Sequence, residues 1–245
     1  MGIITDGLSC LLDFLAPETC VVCGATRVSG QWAEGIPGPA PGLSPWHAPH
    51  CCSTCLDRWL DEPRQGVVEG YPLWSTLLET RDLVRAVGWW KYQGVRGLGR
   101  PLAAVLVQAL EAAVAAHGPA LLIPAPLHPG RRRERGFDQT LQLATLAGRA
   151  TGLVVLGDVL VRHRATAQQA MAEVTHGRRQ GEVAGAFRAR SPEPGEPTQV
   201  ALLDDLATTG ATLGSAAGAL SDAGWEVVWF ASLGQASRLV ECHRT

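Results

Sequence analysis

The chain has almost no lysine. Of its 21 lysine and arginine residues only Lys91 is a lysine, and the net charge is −2. That balance excludes a globally basic nucleic-acid binder, so any contact with nucleic acid must use local basic runs. A lone ammonium among guanidinium groups is notable, because a compact point charge does what a planar fork cannot. No run of apolar residues is read as reaching bilayer length. The opening MGIITDGLSCLLDFLAP lacks a basic start and is interrupted by Asp6 and Asp13. It reads as a short amphipathic helix packed on its own protein, with no membrane insertion and a cytoplasmic location. No internal repeat is present. A hydrophobic content of 46% with 18% charged residues excludes a disordered chain, and 245 residues suffice for one substantial core plus a small module.

Seven cysteines are present, four of them in two pairs: Cys20-Val-Val-Cys23 and Cys52-Ser-Thr-Cys55. Each pair sets two thiolates on one tight turn, and two such turns facing each other make a tetrahedral structural zinc site. Gly24 supplies the backbone freedom such a turn needs. A disulfide pair or unrelated buried thiols are the alternatives, and nothing in the chain points to an oxidising compartment. Cys51, His47 and His50 lie beside the second pair and could exchange with a ligand. Four Cys ligands would leave no open position for catalysis. The linking stretch GQWAEGIPGPAPGLSPWHAP is dense in Gly and Pro and reads as a loop.

From about Leu77 the pattern alternates strands and helices. RDLVRAVGWW reads as helix or strand, and a long helix is expected from about Leu98 to Ala116. ALLIPAP reads as a buried strand, followed by a Pro/Gly loop full of arginines and a helix from about Gln139. A strand is expected at Val200–Leu203, and WEVVWFASLGQAS is the last one. This predicts an α/β fold with a mostly parallel sheet, its ligands at the carboxyl ends of the strands. The predicted boundaries are 1–75 for the N-terminal helix and zinc module and 76–245 for the α/β domain.

The stretch VALLDDLATTGATLGSAAGAL carries the chemistry. A greasy strand ends in Asp204 and Asp205, which have no apolar use. A turn of Ala207, Thr208, Thr209, Gly210, Ala211 and Thr212 then opens a helix. Unpaired N–H groups, the positive end of the helix dipole and the threonine hydroxyls together make a cradle for a phosphate monoester. The two acids suit vicinal hydroxyls, or a Mg2+ that bridges hydroxyls and a second phosphate group. A phosphate, a diol and a diphosphate in that order describe 5-phosphoribosyl-1-diphosphate (PRPP). Rival readings stay open for other segments. GRRRERG is either a solvated face or a phosphate contact. Trp89-Trp90 either stack on single-stranded bases or belong to the core.

With CVVC, CSTC, WKYQG, IPAPLHPGRRRERGFDQ, RATAQQ, GAFRA and LLDDLATTGAT in this order, the chain resembles the ComF family of ComFC- and GntX-like proteins. These join an N-terminal zinc finger to a type I phosphoribosyltransferase domain. The resemblance implies that Asp204 and Asp205, the candidate catalytic pair, hold the ribose diol, and that Ala207 to Thr212 hold the 5'-phosphate. It implies a diphosphate loop at Pro124, Ala125, Pro126 and Leu127 with Arg131 and Arg135 close by, and Mg2+ arriving with PRPP. Arg162 to Arg179 resembles the mobile hood of such transferases. Lys91, Arg132, Arg133, Arg178 and Arg179 are further candidate contacts to substrate or DNA. Phe137-Asp138-Gln139 departs from the family's usual Phe-Asn-Gln. The implied function is DNA uptake in natural transformation, through single-stranded DNA or recombination proteins. An active phosphoribosyltransferase of nucleotide metabolism with an unidentified acceptor, or a non-catalytic PRPP or nucleotide sensor, are the alternatives.

Overall fold

The computed structural model describes residues 19–28, 31–32, 51–60, 62–163 and 185–239. The expected N-terminal helix lies outside them. A short antiparallel pair, β1 (Arg27–Val28) and β2 (Gln31–Trp32), and a one-turn helix α1 (Ser53–Asp57) make up the cysteine-bearing region. The main sheet has five strands in the order β3 (Arg64–Val68), β4 (Tyr71–Leu78), β9 (Glu226–Gln235), β8 (Gln199–Ala207), β5 (Leu121–Pro124). Only β3 runs antiparallel to its neighbour; the other pairings are parallel. Helices α2 (Arg81–Tyr92) and α3 (Gly99–His117) connect β4 to β5. After β5 come α4 (Pro129–Arg135) and α5 (Gln139–Thr151), then a small antiparallel pair, β6 (Leu160–Arg162) and β7 (Phe187–Ala189). Helix α6 (Ala211–Asp222) joins β8 to β9.

The sheet begins upstream of the expected position 76, so that boundary falls inside β4. A hairpin explains it: Glu69 and Gly70 both take positive φ (51° and 83°), the left-handed pair that a two-residue turn needs. The segment read as helix or strand at Arg81 is a helix. Thr80 caps it, accepting from the Leu83 N–H, and Leu83, Ala86, Val87 and Trp90 form its buried face. Trp90 is core, donating its indole N–H to Gln142 at 3.0 Å, whereas Trp89 is exposed. The arginine-rich loop also turns out to hold a helix, α4. Pro129 opens it, His128 accepts from the Gly130 N–H, and Gly136 closes it in the left-handed conformation. The run Arg96–His117 is long and apolar enough to cross a bilayer, contrary to the expectation that none is. Its Leu102, Leu106 and Leu110 are nevertheless fully buried, packed in one cluster with strand residues Leu122, Leu203 and Trp229.

Strand alternation divides the core. Ala201, Leu203, Trp229 and Ala231 face α2, α3 and α5, while Val200, Leu202 and Phe230 face α6 and the β6–β7 pair. The connection after β5 therefore leaves to one face and the connection after its neighbour β8 to the other. Diverging connections open a crevice at the carboxyl ends of these two strands. That crevice is where Asp204 and Asp205 stand.

Candidate functional site

The four paired cysteines come together. The Sγ atoms of Cys20, Cys23, Cys52 and Cys55 all lie within 4.8 Å of one another, and Cys23 and Cys52 are 3.6 Å apart. A tetrahedral zinc with Zn–S bonds of about 2.3 Å would place sulfurs about 3.8 Å apart, so the donor set fits zinc in number, type and spacing. The first turn is closed by Gly24 N–H to Cys20 O, with Gly24 at φ 75°. Cys51 stays outside the tetrad. Its thiol donates to the Cys52 carbonyl at 3.7 Å, and the nearness of Cys51, together with backbone N–H groups, lowers the Cys20 thiol's pKa against the cost of burial. Arg58 donates to Cys55 Sγ at 3.1 Å. His47 and His50 lie outside the described residues.

At the end of β8 the two adjacent acids part company. Asp205 shares the parity of Ala201 and Leu203 and turns toward α2 and α5. There its Oδ2 receives Lys91 Nζ at 2.6 Å and Gln139 Nε2 at 3.1 Å. Burial alone would raise its pKa, but Lys91 and Gln139 outweigh it and hold the carboxyl below the usual range. Asp204 turns to the opposite face, where the buried Arg162 of β6 acts on it electrostatically. Burial first, and the Asp205 charge second, push its carboxyl up to about 7 against the pull of Lys91 and Arg162. Its Oδ1 accepts from the Asp205 N–H at 2.8 Å.

The turn that follows is shaped by a glycine. Gly210 has φ 76°, and a Cβ there would run into the Val68 side chain of β3. Thr209 Oγ1 accepts from Ala211 N–H at 3.2 Å. Arg238, beyond β9, grips the Thr208 carbonyl with Nε (3.1 Å) and Nη2 (2.8 Å). Because a trans peptide sets its N–H opposite its C=O, this grip turns the Thr209 N–H away from Arg238. Ala207 closes the strand by accepting from Ala236 N–H.

Beside β5 the structure assigns the backbone donors differently from a diphosphate loop. Pro124 and Pro126 have no N–H, Ala125 donates to Leu203 O at 2.8 Å, and Leu127 donates to Asp138 Oδ2 at 3.2 Å. Every donor of residues 124–127 is committed. Asp138 uses its other carboxylate oxygen to cap α5 through the Leu141 N–H at 3.1 Å. Its role is a clamp between the β5 loop and α5. Arg131 pairs with Glu134 at the surface, and Arg135 stacks on Tyr92 at 4.6 Å. Arg132, Arg133 and Arg162, with Leu127, Asp138 and Leu160, line a cavity of about 640 Å3. Arg178, Arg179 and most of the segment read as a hood lie outside the described residues. Sequence reasoning did not single out Arg238, gave Gln139 no part beside Asp205, and named Arg162 only as the first residue of the hood segment.

No model of a known protein family matches the chain, and no curated protein matches it at a significant level.

Proposed function

We propose that the chain binds a phosphorylated ribose, PRPP or a nucleotide 5'-phosphate, at the junction of β8 and α6. In the terms of the ComF resemblance, this site serves DNA uptake. The observation that carries the reading is the arrangement of β8. Two acids lie at the carboxyl end of a buried parallel strand, at a crevice between diverging connections, one glycine-enabled turn before a helix N-terminus. The N–H groups of that turn suit the phosphate, and the carboxylates suit hydroxyl donors. The Arg132–Arg133–Arg162 cavity is of a size that holds a small ligand, and it supports a second reading, in which an acceptor or diphosphate enters beside the ribose and the protein is a phosphoribosyltransferase. In that reaction the bond from the sugar's C1 to the diphosphate breaks, the acceptor bonds to C1, and the cavity's arginines stabilise the departing charge.

A protein-held Mg2+ does not fit the acids. Lys91 Nζ and Gln139 Nε2 already occupy Asp205 Oδ2, and the Lys91 charge acts on Asp204 as well, so the acids' cation is already in place. Any Mg2+ would come with the diphosphate. Zinc, held by the four cysteines, has a structural role. Single-stranded DNA and recombination proteins are the proposed partners, with the exposed Arg132 and Arg133 of α4 as the local basic contact.

Calorimetry with PRPP, ribose 5-phosphate and single-stranded DNA tests the reading, together with diphosphate release from PRPP against a panel of bases. Binding of the sugar phosphates that is lost in Asp204→Asn supports it. Diphosphate release with any base selects the transferase. Binding of DNA without any sugar phosphate overturns the reading of β8.

A further inference from the structure

The only lysine of the chain reaches the acid pair from another element. Lys91 sits in the last turn of α2 with its side chain 12% exposed, and its ammonium lies 2.6 Å from Asp205 Oδ2, itself 8% exposed as a side chain. Gln139, at the start of α5, donates to the same oxygen at 3.1 Å. The carbonyl end of the last helical turn favours a cation at this position. An arginine could not replace it in kind, because its planar fork spreads the charge that an ammonium concentrates on one oxygen. A divalent metal at Asp205 would need this oxygen at about 2.0–2.1 Å inside an octahedron of oxygens. Lys91 and Gln139 already occupy the approach to Asp205 Oδ2.

We propose that Lys91 is the resident cation of the acid pair. It fills at Asp205 the place a divalent metal would need, so that a sugar-phosphate diol is held there without Mg2+. The ligand half of this inference rests on the phosphate–diol reading above; the half that concerns Lys91 does not. The arrangement implies a preference for a sugar monophosphate, which brings no metal of its own, at least equal to that for a metal-bound diphosphate.

The experiment uses the full zinc-loaded chain and Mn2+ alone, followed by electron paramagnetic resonance. The wild type should leave Mn2+ free, and Lys91→Met should gain one bound Mn2+ that is lost again when Asp205→Asn is added. Lys91→Gln is the second variant should Lys91→Met fail to fold, and Lys91→Arg, which keeps a cation in place, should still exclude the metal. Mn2+ bound to the wild type and lost in Asp205→Asn overturns the proposal, as does failure of both folded neutral variants to gain the ion. Calorimetry with ribose 5-phosphate then tests the ligand half. The wild-type Kd should agree within about twofold between EDTA and Mg2+, a ratio worth about 0.4 kcal/mol. Lys91→Met should bind about tenfold more weakly in EDTA and recover in Mg2+. Wild-type binding that collapses in EDTA overturns metal independence. No binding by the wild type in either buffer overturns the phosphate–diol reading and the ligand half with it, while the manganese result still decides the role of Lys91.

Discussion

Replacing Asp204 by asparagine should make the protein more stable at pH 8 and worse at holding its ligand. The folded carboxyl titrates at about 7, raised by burial and by Asp205, whereas in the unfolded chain it titrates at about 3.9. Between those values the folded state keeps a proton that the unfolded state has lost. Stability therefore falls as pH rises from about 4 to about 7 and is level above that. A shift of roughly three units at about 1.36 kcal/mol each sets a ceiling of about 4 kcal/mol. Local relaxation reduces it, and a gain of about 1–3 kcal/mol for Asp204→Asn at pH 8 is expected. The amide keeps an oxygen for the Asp205 N–H, so the backbone contact survives. Asp205 has the opposite sign: its depressed pKa gives stability that is present above about 4 and lost below it, outside this window. Urea unfolding of both proteins at pH 5.5 and pH 8 isolates Asp204, since its coupled neighbour Asp205 titrates below this window. The advantage of the variant should grow with pH. Ribose 5-phosphate binding at pH 8 should weaken by at least tenfold, because a hydrogen bond to a charged acceptor is worth about 1.5–3 kcal/mol. A variant no more stable than the wild type at pH 8, or one whose advantage shrinks with pH, refutes the reasoning.

Other expected outcomes follow from separate parts of the chain. Cys20→Ser combined with Cys52→Ser should carry no zinc by metal analysis, and a full equivalent retained would exclude the tetrad as the site. Asp138→Ala should lose about 1–3 kcal/mol in unfolding experiments, as the α5 cap and the Leu127 anchor go together. Asp138→Asn should fall between, because its amide nitrogen cannot accept from Leu127; equal stability of all three proteins would dismiss the clamp. Gly210→Ala should cost at least about 1–2 kcal/mol for the left-handed backbone, and Val68→Ala should recover the part due to the clash; full stability of the single variant contradicts both. Arg132→Ala with Arg133→Ala should weaken single-stranded DNA binding at low salt and flatten its salt dependence by about 0.7 per lost phosphate contact. An unchanged salt slope removes α4 from the DNA surface.

What was legible in the sequence is what local chemistry decides. The paired cysteines and the start of α5 at Gln139 stand where spacing and burial pattern put them, whereas β8, expected at Val200–Leu203, runs on through both acids to Ala207, and the turn shrinks to Thr208–Gly210 before α6. The punctuation of α4 was present too. A proline inside its start and a glycine past its end are helix signals, yet the charge of PGRRRER drew the reading toward a loop. The β3–β4 hairpin was hidden by a Glu-Gly turn, with no Asn or Asp to announce it. The pairing of Lys91 with Asp205 depends on α2 crossing the end of β8, which no local pattern encodes.

Adjacency in a sequence misleads most where the chain is extended. A pair of acids written side by side reads as one binding group, whereas a strand sends consecutive side chains to opposite faces. Asp205 accordingly meets Lys91 and Gln139, while Asp204 turns the other way and feels Lys91, and more weakly Arg162 of β6, only through charge. The result is two half-sites with unlike electrostatics. One carboxylate is firmly ionised and held in place. The other is destabilised by burial, lies close to neutrality in its titration, and is the one whose charge a ligand's hydroxyl donors would stabilise. A ligand that brings donors to Asp204 recovers part of the burial cost already built into the empty fold, so affinity there should rise with pH through about 7 while Asp205 stays constant. Measuring ribose 5-phosphate affinity from pH 6 to pH 8 in the wild type and in Asp205→Asn separates the two roles. The slope should move to lower pH in Asp205→Asn, whose charge helps to raise Asp204, and shrink in Asp204→Asn to what the phosphate's own second ionisation at about 6 contributes. A slope that follows Asp205 would reverse the assignment.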